Sequence, residues 1–132
     1  MERIDAPGLV AIDDSAATLS VVAALARANG YDDVETFQSV AAALASLKRR
    51  GTRKTVLVCD LNMPGADGVE LFKSLSHTAF EGPIVILSGA DDRVLKTAAN
   101  LAQAYGLDLR ARLSKPVQPD AFGRLLAALH GA

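Results

Sequence analysis

Apolar and β-branched residues form short runs along the chain, separated by longer segments in which apolar residues recur at helical spacing. Apolar runs of about four to eight residues between turn residues are typical of buried strands. They predict strands at Leu9–Ile12, Val34–Phe37, Thr55–Cys59, Ile84–Leu87 and Leu107–Leu113.

The segments between these runs carry the start and stop signals of helices. Ser15 and Ser39 are suitable N-caps for the first two helices. Gly30 and Gly51 are suitable residues to end them. Three further helices are indicated by apolar residues at helical intervals, around Phe72, Leu95 and Leu125.

The alternation of strands and helices predicts parallel strand pairing, right-handed crossovers and helices on both faces of one sheet. We therefore expect an α/β fold with a doubly wound sheet, as a single domain over residues 1–132. In such sheets ligands bind beyond the carboxyl ends of the strands. Residues that directly follow the strands are accordingly the first candidates for a functional site.

Composition narrows the possible classes of protein. Apolar residues make up 50% of the 132 residues, enough for one compact core, and 14 Lys and Arg face 15 Asp and Glu. No global charge therefore favours nucleic acid or an anionic membrane. No apolar run reaches the about 18 residues of a membrane span, and the first residues do not resemble a signal peptide. Cys59 has no second cysteine to pair with, so we expect a cytoplasmic protein with Cys59 buried in a strand.

Polar residues stand at the ends of four predicted strands. Asp13 and Asp14 follow the first strand, Asp60 follows the third, Ser88 the fourth and Lys115 the fifth. Two carboxylates about 4 Å apart repel by about 4 kcal/mol at an effective dielectric constant of about 20. The one ammonium group of Lys115 does not balance three acids, so the set favours a hard divalent cation. Mg2+ suits a site with few protein ligands and several retained waters.

A bound Mg2+, a lysine and a hydroxyl around a carboxylate are the groups that phosphoryl transfer requires. Asp60 would be the nucleophile that forms an aspartyl phosphate. Asn62 follows Asp60 closely enough to point a backbone group into the same space. Asn62 and Ala90 would flank the path of a water that attacks the phosphate.

Each of these residues also has a simpler interpretation. Asp13 and Asp14 could only favour the N-terminus of the first helix. Ser88 could belong to an ordinary turn, and most lysines such as Lys115 are solvated. Polar residues at four accessible strand ends favour one shared site, because the simpler interpretations must explain each residue separately.

These residues resemble the receiver domains of bacterial two-component response regulators, the flavodoxin-like family typified by the chemotaxis regulator. The motifs that carry the resemblance are the acidic pair after the first strand, CDLNMPGADG, ILSGA and LSKP. The resemblance covers nearly the whole chain. It implies a (βα)5 three-layer sandwich with the parallel strand order 2-1-3-4-5.

The resemblance also implies residue roles. Asp60 would accept a phosphoryl group from the phosphohistidine of a sensor histidine kinase or a phosphotransfer protein. Asp14, Asp60 and the backbone carbonyl of Asn62 would bind Mg2+, and Asp13 would contribute through water.

The remaining implied roles concern the switch. Ser88 would be the switch hydroxyl, Lys115 would pair with the phosphate, and the bond between Lys115 and Pro116 would be cis. The fourth helix, fifth strand and fifth helix would form the surface that signals to a downstream partner or output domain, or that forms a homodimer.

Two departures from the family pattern stand out. The family usually has Tyr or Phe three residues before the lysine, where this chain has Arg112. Arg110 and Arg112 could either discourage pairing at an edge strand or recognise a partner. In addition, Lys115 lies 27 positions after Ser88, more than is typical, and AYGLDLRARLSKP is similar to receivers joined to EAL domains.

Two other classes of protein remain as alternatives. A magnesium-dependent phosphohydrolase would also use an aspartyl phosphate, but it needs a second acid where Asn62 stands, and a cap insertion that this chain lacks room for. A receiver-like module that binds partners without phosphorylation is disfavoured by the intact set of polar residues, although Arg112 is compatible with it.

Overall fold

The computed structural model describes residues 7–61, 68–89 and 92–130. The strands in these ranges are β1 (Gly8–Ile12), β2 (Val34–Phe37), β3 (Thr55–Asp60), β4 (Pro83–Ser88) and β5 (Asp108–Ser114). The helices are α1 (Ala16–Ala28), α2 (Val40–Arg50), α3 (Gly68–Leu75), α4 (Asp92–Ala104) and α5 (Pro119–His130). The predicted alternation is confirmed, and each strand end lies within one residue of its predicted position.

All strand pairs are parallel, and the order is β2-β1-β3-β4-β5. The predicted doubly wound, flavodoxin-like α/β fold is therefore confirmed. The chain runs from β1 outward to β2 and then crosses back over β1 to β3, so the direction of winding reverses there. A crevice therefore opens at the carboxyl ends of β1 and β3. β2 and β5 are the edge strands.

The two faces of the sheet are covered by different helices. On β3, Leu57 and Cys59 pack in the cluster that contains α2, α3 and α4, whereas Val56 and Val58 pack in the cluster that contains α1 and α5. Burial on both faces explains why the central strands are continuous apolar runs rather than alternating patterns.

Local signals fix the helix ends as predicted. The Ser15 hydroxyl accepts a hydrogen bond from the Thr18 amide at the start of α1, and Ser39 caps α2 in the same way. Gly51 ends α2 with a φ of 59°, a left-handed conformation that glycine adopts without steric cost. Within the described ranges, no helix has the length and apolar character needed to cross a membrane.

The edge strand β5 contains a register shift against β4. Ile84 lies opposite Leu109, but the next residue, Val85, lies opposite Ala111. Arg110 is therefore an extra residue, as in a β-bulge. The sequence pattern predicts the strand but not this irregularity.

Candidate functional site

The structure brings five of the predicted site residues to the carboxyl edge of the sheet. Asp13 and Asp14 directly follow β1, and Lys115 directly follows β5. Asp60 and Ser88 are the last residues of β3 and β4. Their common position follows from parallel pairing, which aligns the carboxyl ends of the strands.

Three of these side chains are removed from solvent. Asp13 is 1% exposed, Asp60 is 6% exposed and Ser88 is 5% exposed. Asp14 is exposed, so it stands at the side of the site that faces solvent. Buried carboxylates are costly unless positive charge or hydrogen bonds compensate them, so the contacts of Asp13 and Asp60 decide the chemistry of the site.

Lys115 supplies the positive charge. Its Nζ lies 2.9 Å from Asp13 Oδ2 and 3.0 Å from Asp60 Oδ2. Burial lowers the pKa of this ammonium group, but its close contacts with the Asp13 and Asp60 carboxylates outweigh the burial and raise the pKa above its ordinary value. Lys115 is therefore a permanent cation between two buried carboxylates at physiological pH.

The acids outnumber this cation. One carboxylate oxygen from each of Asp13, Asp14 and Asp60 lies within 4.8 Å of the other two. Asp13 Oδ1 accepts a hydrogen bond from the Ser15 amide at 2.9 Å. Asp13 Oδ2 is buried and makes the ion pair with Lys115, but it accepts no well-aligned hydrogen bond from the described residues. A cluster of three carboxylate oxygens that share one ammonium group fits a hard divalent cation such as Mg2+.

The ends of β4 and β5 are linked beside this cluster. The Lys115 amide donates a 2.8 Å hydrogen bond to the Ser88 carbonyl, and the peptide bond between Lys115 and Pro116 is cis, as the resemblance implies. Ser88 and Lys115 are therefore held together through the backbone as well as through the site they share.

Cys59 precedes Asp60 but takes no part in the polar cluster. Its side chain is fully buried, and burial together with the charge of Asp60 raises the pKa of its thiol to about 12. A thiol that stays protonated is a poor nucleophile. The structure thus confirms the interpretation of Cys59 as a small buried strand residue.

Arg112 lies on β5 opposite Ile86, and its side chain is exposed. Two other predicted residues, Asn62 and Ala90, lie outside the described residues. The sequence pattern did not lead us to the Ser15 amide as a partner of Asp13. Aspartate side chains often accept a hydrogen bond from the backbone amide two residues later in a turn, and this preference could have indicated the contact.

The response regulator receiver domain is the family whose model matches the chain, over residues 9–127. Several solved structures are similar. A response regulator from Colwellia psychrerythraea is 24% identical, with a TM-score of 0.80, and the match covers 96% of this chain and 98% of that chain. A response regulator receiver protein from Burkholderia phymatum is 28% identical, with a TM-score of 0.71 and 95% of each chain covered.

The match to full-length FixJ from B. japonicum covers 93% of this chain but 57% of that one, at 28% identity and a TM-score of 0.75. No curated protein matches the chain. The similarity to receivers joined to EAL domains is not tested by these comparisons and stays a prediction.

Proposed function

The chain belongs to the response regulator receiver domain family of two-component signalling, and on that premise we propose that it accepts a phosphoryl group on Asp60 and signals this state to a partner. The observation that carries the proposal is the Lys115 ammonium held within 3.0 Å of both Asp13 and Asp60. The donor would be the phosphohistidine of a sensor histidine kinase or of a phosphotransfer protein.

In the proposed step, a carboxylate oxygen of Asp60 attacks the phosphorus of the phosphohistidine. The new oxygen–phosphorus bond forms as the phosphorus–nitrogen bond breaks, and the electron pair of that bond returns to the imidazole ring. Lys115 then pairs with a phosphoryl oxygen, and the Ser88 hydroxyl donates a hydrogen bond to another. The burial of Asp60 and Ser88 keeps competing water away from the reacting atoms.

A divalent cation fits beside these residues. Asp14, Asp60 and the carbonyl of Asn62 would hold Mg2+, and Asp13 would contribute through water. When bound, Mg2+ would supply the positive charge that phosphoryl transfer needs. The protein itself positions the nucleophile beside the lysine, because the Lys115 ammonium group donates a hydrogen bond to the Asp60 carboxylate.

The same residues offer a route from Asp60 to the surface. Ser88 ends β4, and its carbonyl binds the amide of Lys115 at the end of β5. A movement of Ser88 toward a phosphoryl group would therefore act on the edge strand. We infer that the surface formed by α4, β5 and α5 reports phosphorylation, either to a partner protein or through a homodimer.

Incubation with Mg2+ and acetyl phosphate tests this proposal. We expect the intact mass of the protein to increase by one phosphoryl group. The increase should be absent in Asp60→Asn and in wild type treated with EDTA, and retained in Asp32→Asn, which changes an exposed acid elsewhere. A wild-type protein that gains no phosphoryl group, or an Asp60→Asn variant that gains one, would refute the proposal in favour of an interaction module independent of phosphorylation.

A further inference from the structure

The amino ends of β3, β4 and β5 lie side by side at the edge of the sheet opposite Asp60, because these strands pair in parallel. A pocket of about 320 Å³ opens there. Its walls come from residues 52–56, 81–83, 108 and 110 and from Leu129 of α5, and we call it the amino-end pocket. None of these residues belongs to the cluster around Asp60, so the pocket is a second candidate site.

Charged residues of opposite sign stand at two sides of the amino-end pocket. Arg53 and Lys54 directly precede β3. Glu81 comes two residues before β4, and Asp108 begins β5. The strand order therefore places these two cations at one side of the pocket and the two acids at the other. Arg53, Lys54 and Glu81 are exposed, so a ligand in solvent can reach their charges.

The ion pairs at the pocket leave Arg53 available to a ligand. Arg110 pairs with Asp108 on its own strand, at 3.2 Å between Nε and Oδ1, so these two charges balance each other. Arg53 Nη2 lies 3.0 Å from Asp33 Oδ2, but Asp33 already accepts two hydrogen bonds from Arg50. The Arg53 side chain is 61% exposed, and a guanidinium group has several N–H donors. It can therefore bind a further carboxylate.

The amino-end pocket also has an apolar part, formed by Val56, Pro83 and Leu129. Gly82 packs directly against the Thr55 carbonyl oxygen, since a Cβ at Gly82 would overlap that atom. The starts of β3 and β4 are thus held against each other, which favours a pocket that exists before any ligand binds. Small-molecule sites have volumes of about 300–1,000 Å³, so this pocket suits a small ligand.

We propose that the amino-end pocket binds a free amino acid with an apolar side chain. The carboxylate of the ligand would pair with Arg53 and Lys54, and its ammonium group would pair with Glu81. Its side chain would lie against Leu129 and the other apolar residues of the pocket. A ligand with only a negative charge would be repelled by Glu81, and one with only a positive charge would be repelled by Arg53 and Lys54.

Heteronuclear NMR titration of the isotope-labelled protein with leucine, valine and phenylalanine tests this inference. We expect these ligands to shift amide signals mainly of residues 52–56 and 81–82. N-acetylleucine lacks the ammonium group and leucinamide lacks the carboxylate. Both should bind about tenfold more weakly than leucine or worse, because each leaves a charged group of the pocket without its partner.

Two variants assign the two charges of the ligand. Glu81→Ala should weaken the binding of leucine about tenfold but leave the binding of N-acetylleucine unchanged. Arg53→Ala should weaken the binding of leucine but leave the binding of leucinamide unchanged. Glu70→Ala and Arg49→Ala remove exposed charges outside the pocket and are the matched controls, which should bind leucine as wild type does. Circular dichroism confirms that each variant folds.

The outcomes separate this inference from the proposed function. The inference is wrong if none of the three amino acids shifts the signals of the pocket, or if leucine and its two blocked forms bind equally well. Leucine binding that both Glu81→Ala and Arg53→Ala leave unchanged would also overturn it. Binding with the expected charge dependence, in a protein that gains no phosphoryl group from acetyl phosphate, would support the pocket and refute the proposed role of Asp60.

Discussion

Tyr31 is fully buried, and its hydroxyl donates a 2.7 Å hydrogen bond to the Leu126 carbonyl of α5. Burial raises the pKa of this hydroxyl to about 12. The ring also makes an edge-to-face contact with His130, at 5.3 Å between ring centroids. No local pattern indicates these contacts, because the partners are far apart along the chain and meet only when α5 packs beside α1.

We expect Tyr31→Phe to lower the free energy of unfolding by about 1 kcal/mol at neutral pH, since a buried hydrogen bond is lost. The folded protein holds the Tyr31 hydroxyl proton more tightly than the unfolded chain does, because the pKa is raised from 10 to about 12. The stability that Tyr31 contributes is therefore fully present below pH 10 and is lost as the pH rises from 10 to about 12. The stability difference between wild type and Tyr31→Phe should therefore narrow above pH 10. Urea unfolding across this range measures it, and a constant difference would contradict the assignment. Tyr105→Phe, at a half-buried site, is the control.

Asp13 combines near-complete burial with a carboxylate oxygen that lacks a well-aligned hydrogen bond. The identity of Asp13 as a site residue follows from the sequence, because an acid after a buried strand is unusual. Its burial does not follow, since Asp13 and Asp14 are equivalent in the pattern, and the structure exposes only Asp14. Which of the two consecutive acids is buried depends on the path of the backbone after β1.

We expect millimolar Mg2+ to raise the melting temperature of the wild-type protein, because a ligand that binds only the folded state stabilises it. Asp13→Asn should reduce this increase to less than about half by removing one charge from the acidic set. Differential scanning fluorimetry with and without Mg2+ measures the effect. Asp32→Asn should keep the full increase, and an Asp13→Asn variant that also keeps it would exclude Asp13 from the metal site.

At the scale of elements, Arg50 joins the end of α2 to the start of β2. Its guanidinium donates two hydrogen bonds to Asp33, both 2.9 Å, and one of 2.8 Å to Glu35, although its side chain is only 5% exposed. Hydrogen bonds from Ser46 and Arg50 hold the pKa of Glu35 below its ordinary value. In the sequence, Arg50 is one of three consecutive cations at a helix end, where the helix dipole alone explains them.

Arg50→Lys should lower the free energy of unfolding by about 2 kcal/mol, because a lysine keeps the charge but cannot bind two carboxylates through a planar fork. Arg49→Lys is the matched control. The Arg49 side chain is 66% exposed and lies 3.8 Å from Glu35, so its replacement should change stability by less than about 0.5 kcal/mol. Equal effects of the two substitutions in urea unfolding would show that charge, rather than the geometry of Arg50, stabilises α2.

At the scale of the whole molecule, the two ends of the parallel sheet have different roles. The carboxyl ends of β1, β3 and β4 carry Asp13, Asp60 and Ser88, whereas Gly82 directly precedes β4 at the amino end of the sheet. Alternation of strands and helices suffices to predict a doubly wound parallel sheet, whereas the strand order follows only from the family resemblance. The rule that sites lie at carboxyl ends suffices to predict that Asp13, Asp60 and Lys115 meet. The register shift at Arg110 could not be predicted, because it depends on how β5 fits against β4.

The backbone and side chains around Gly82, at the amino end of β4, leave no room for a side chain. A Cβ added there would meet the Thr55 carbonyl oxygen, a backbone atom that cannot move aside, and the Phe80 ring at 3.1 Å. At Gly123 in α5 a Cβ would make only an ordinary contact, 3.5 Å from Asn29 Nδ2. The same substitution by alanine should therefore have opposite effects at the two positions.

We expect Gly82→Ala to lower the free energy of unfolding by about 2–3 kcal/mol through overpacking. Gly123→Ala should raise it by about 0.5–1 kcal/mol through helix propensity. Gly82 lies at the opposite end of the sheet from Asp60. Both folded variants should therefore still gain one phosphoryl group from acetyl phosphate, to the same extent as the wild type. Urea unfolding and intact mass measure the two properties on the same samples. Loss of phosphorylation in folded Gly82→Ala would show that the two ends of the sheet are coupled, contrary to this division of roles.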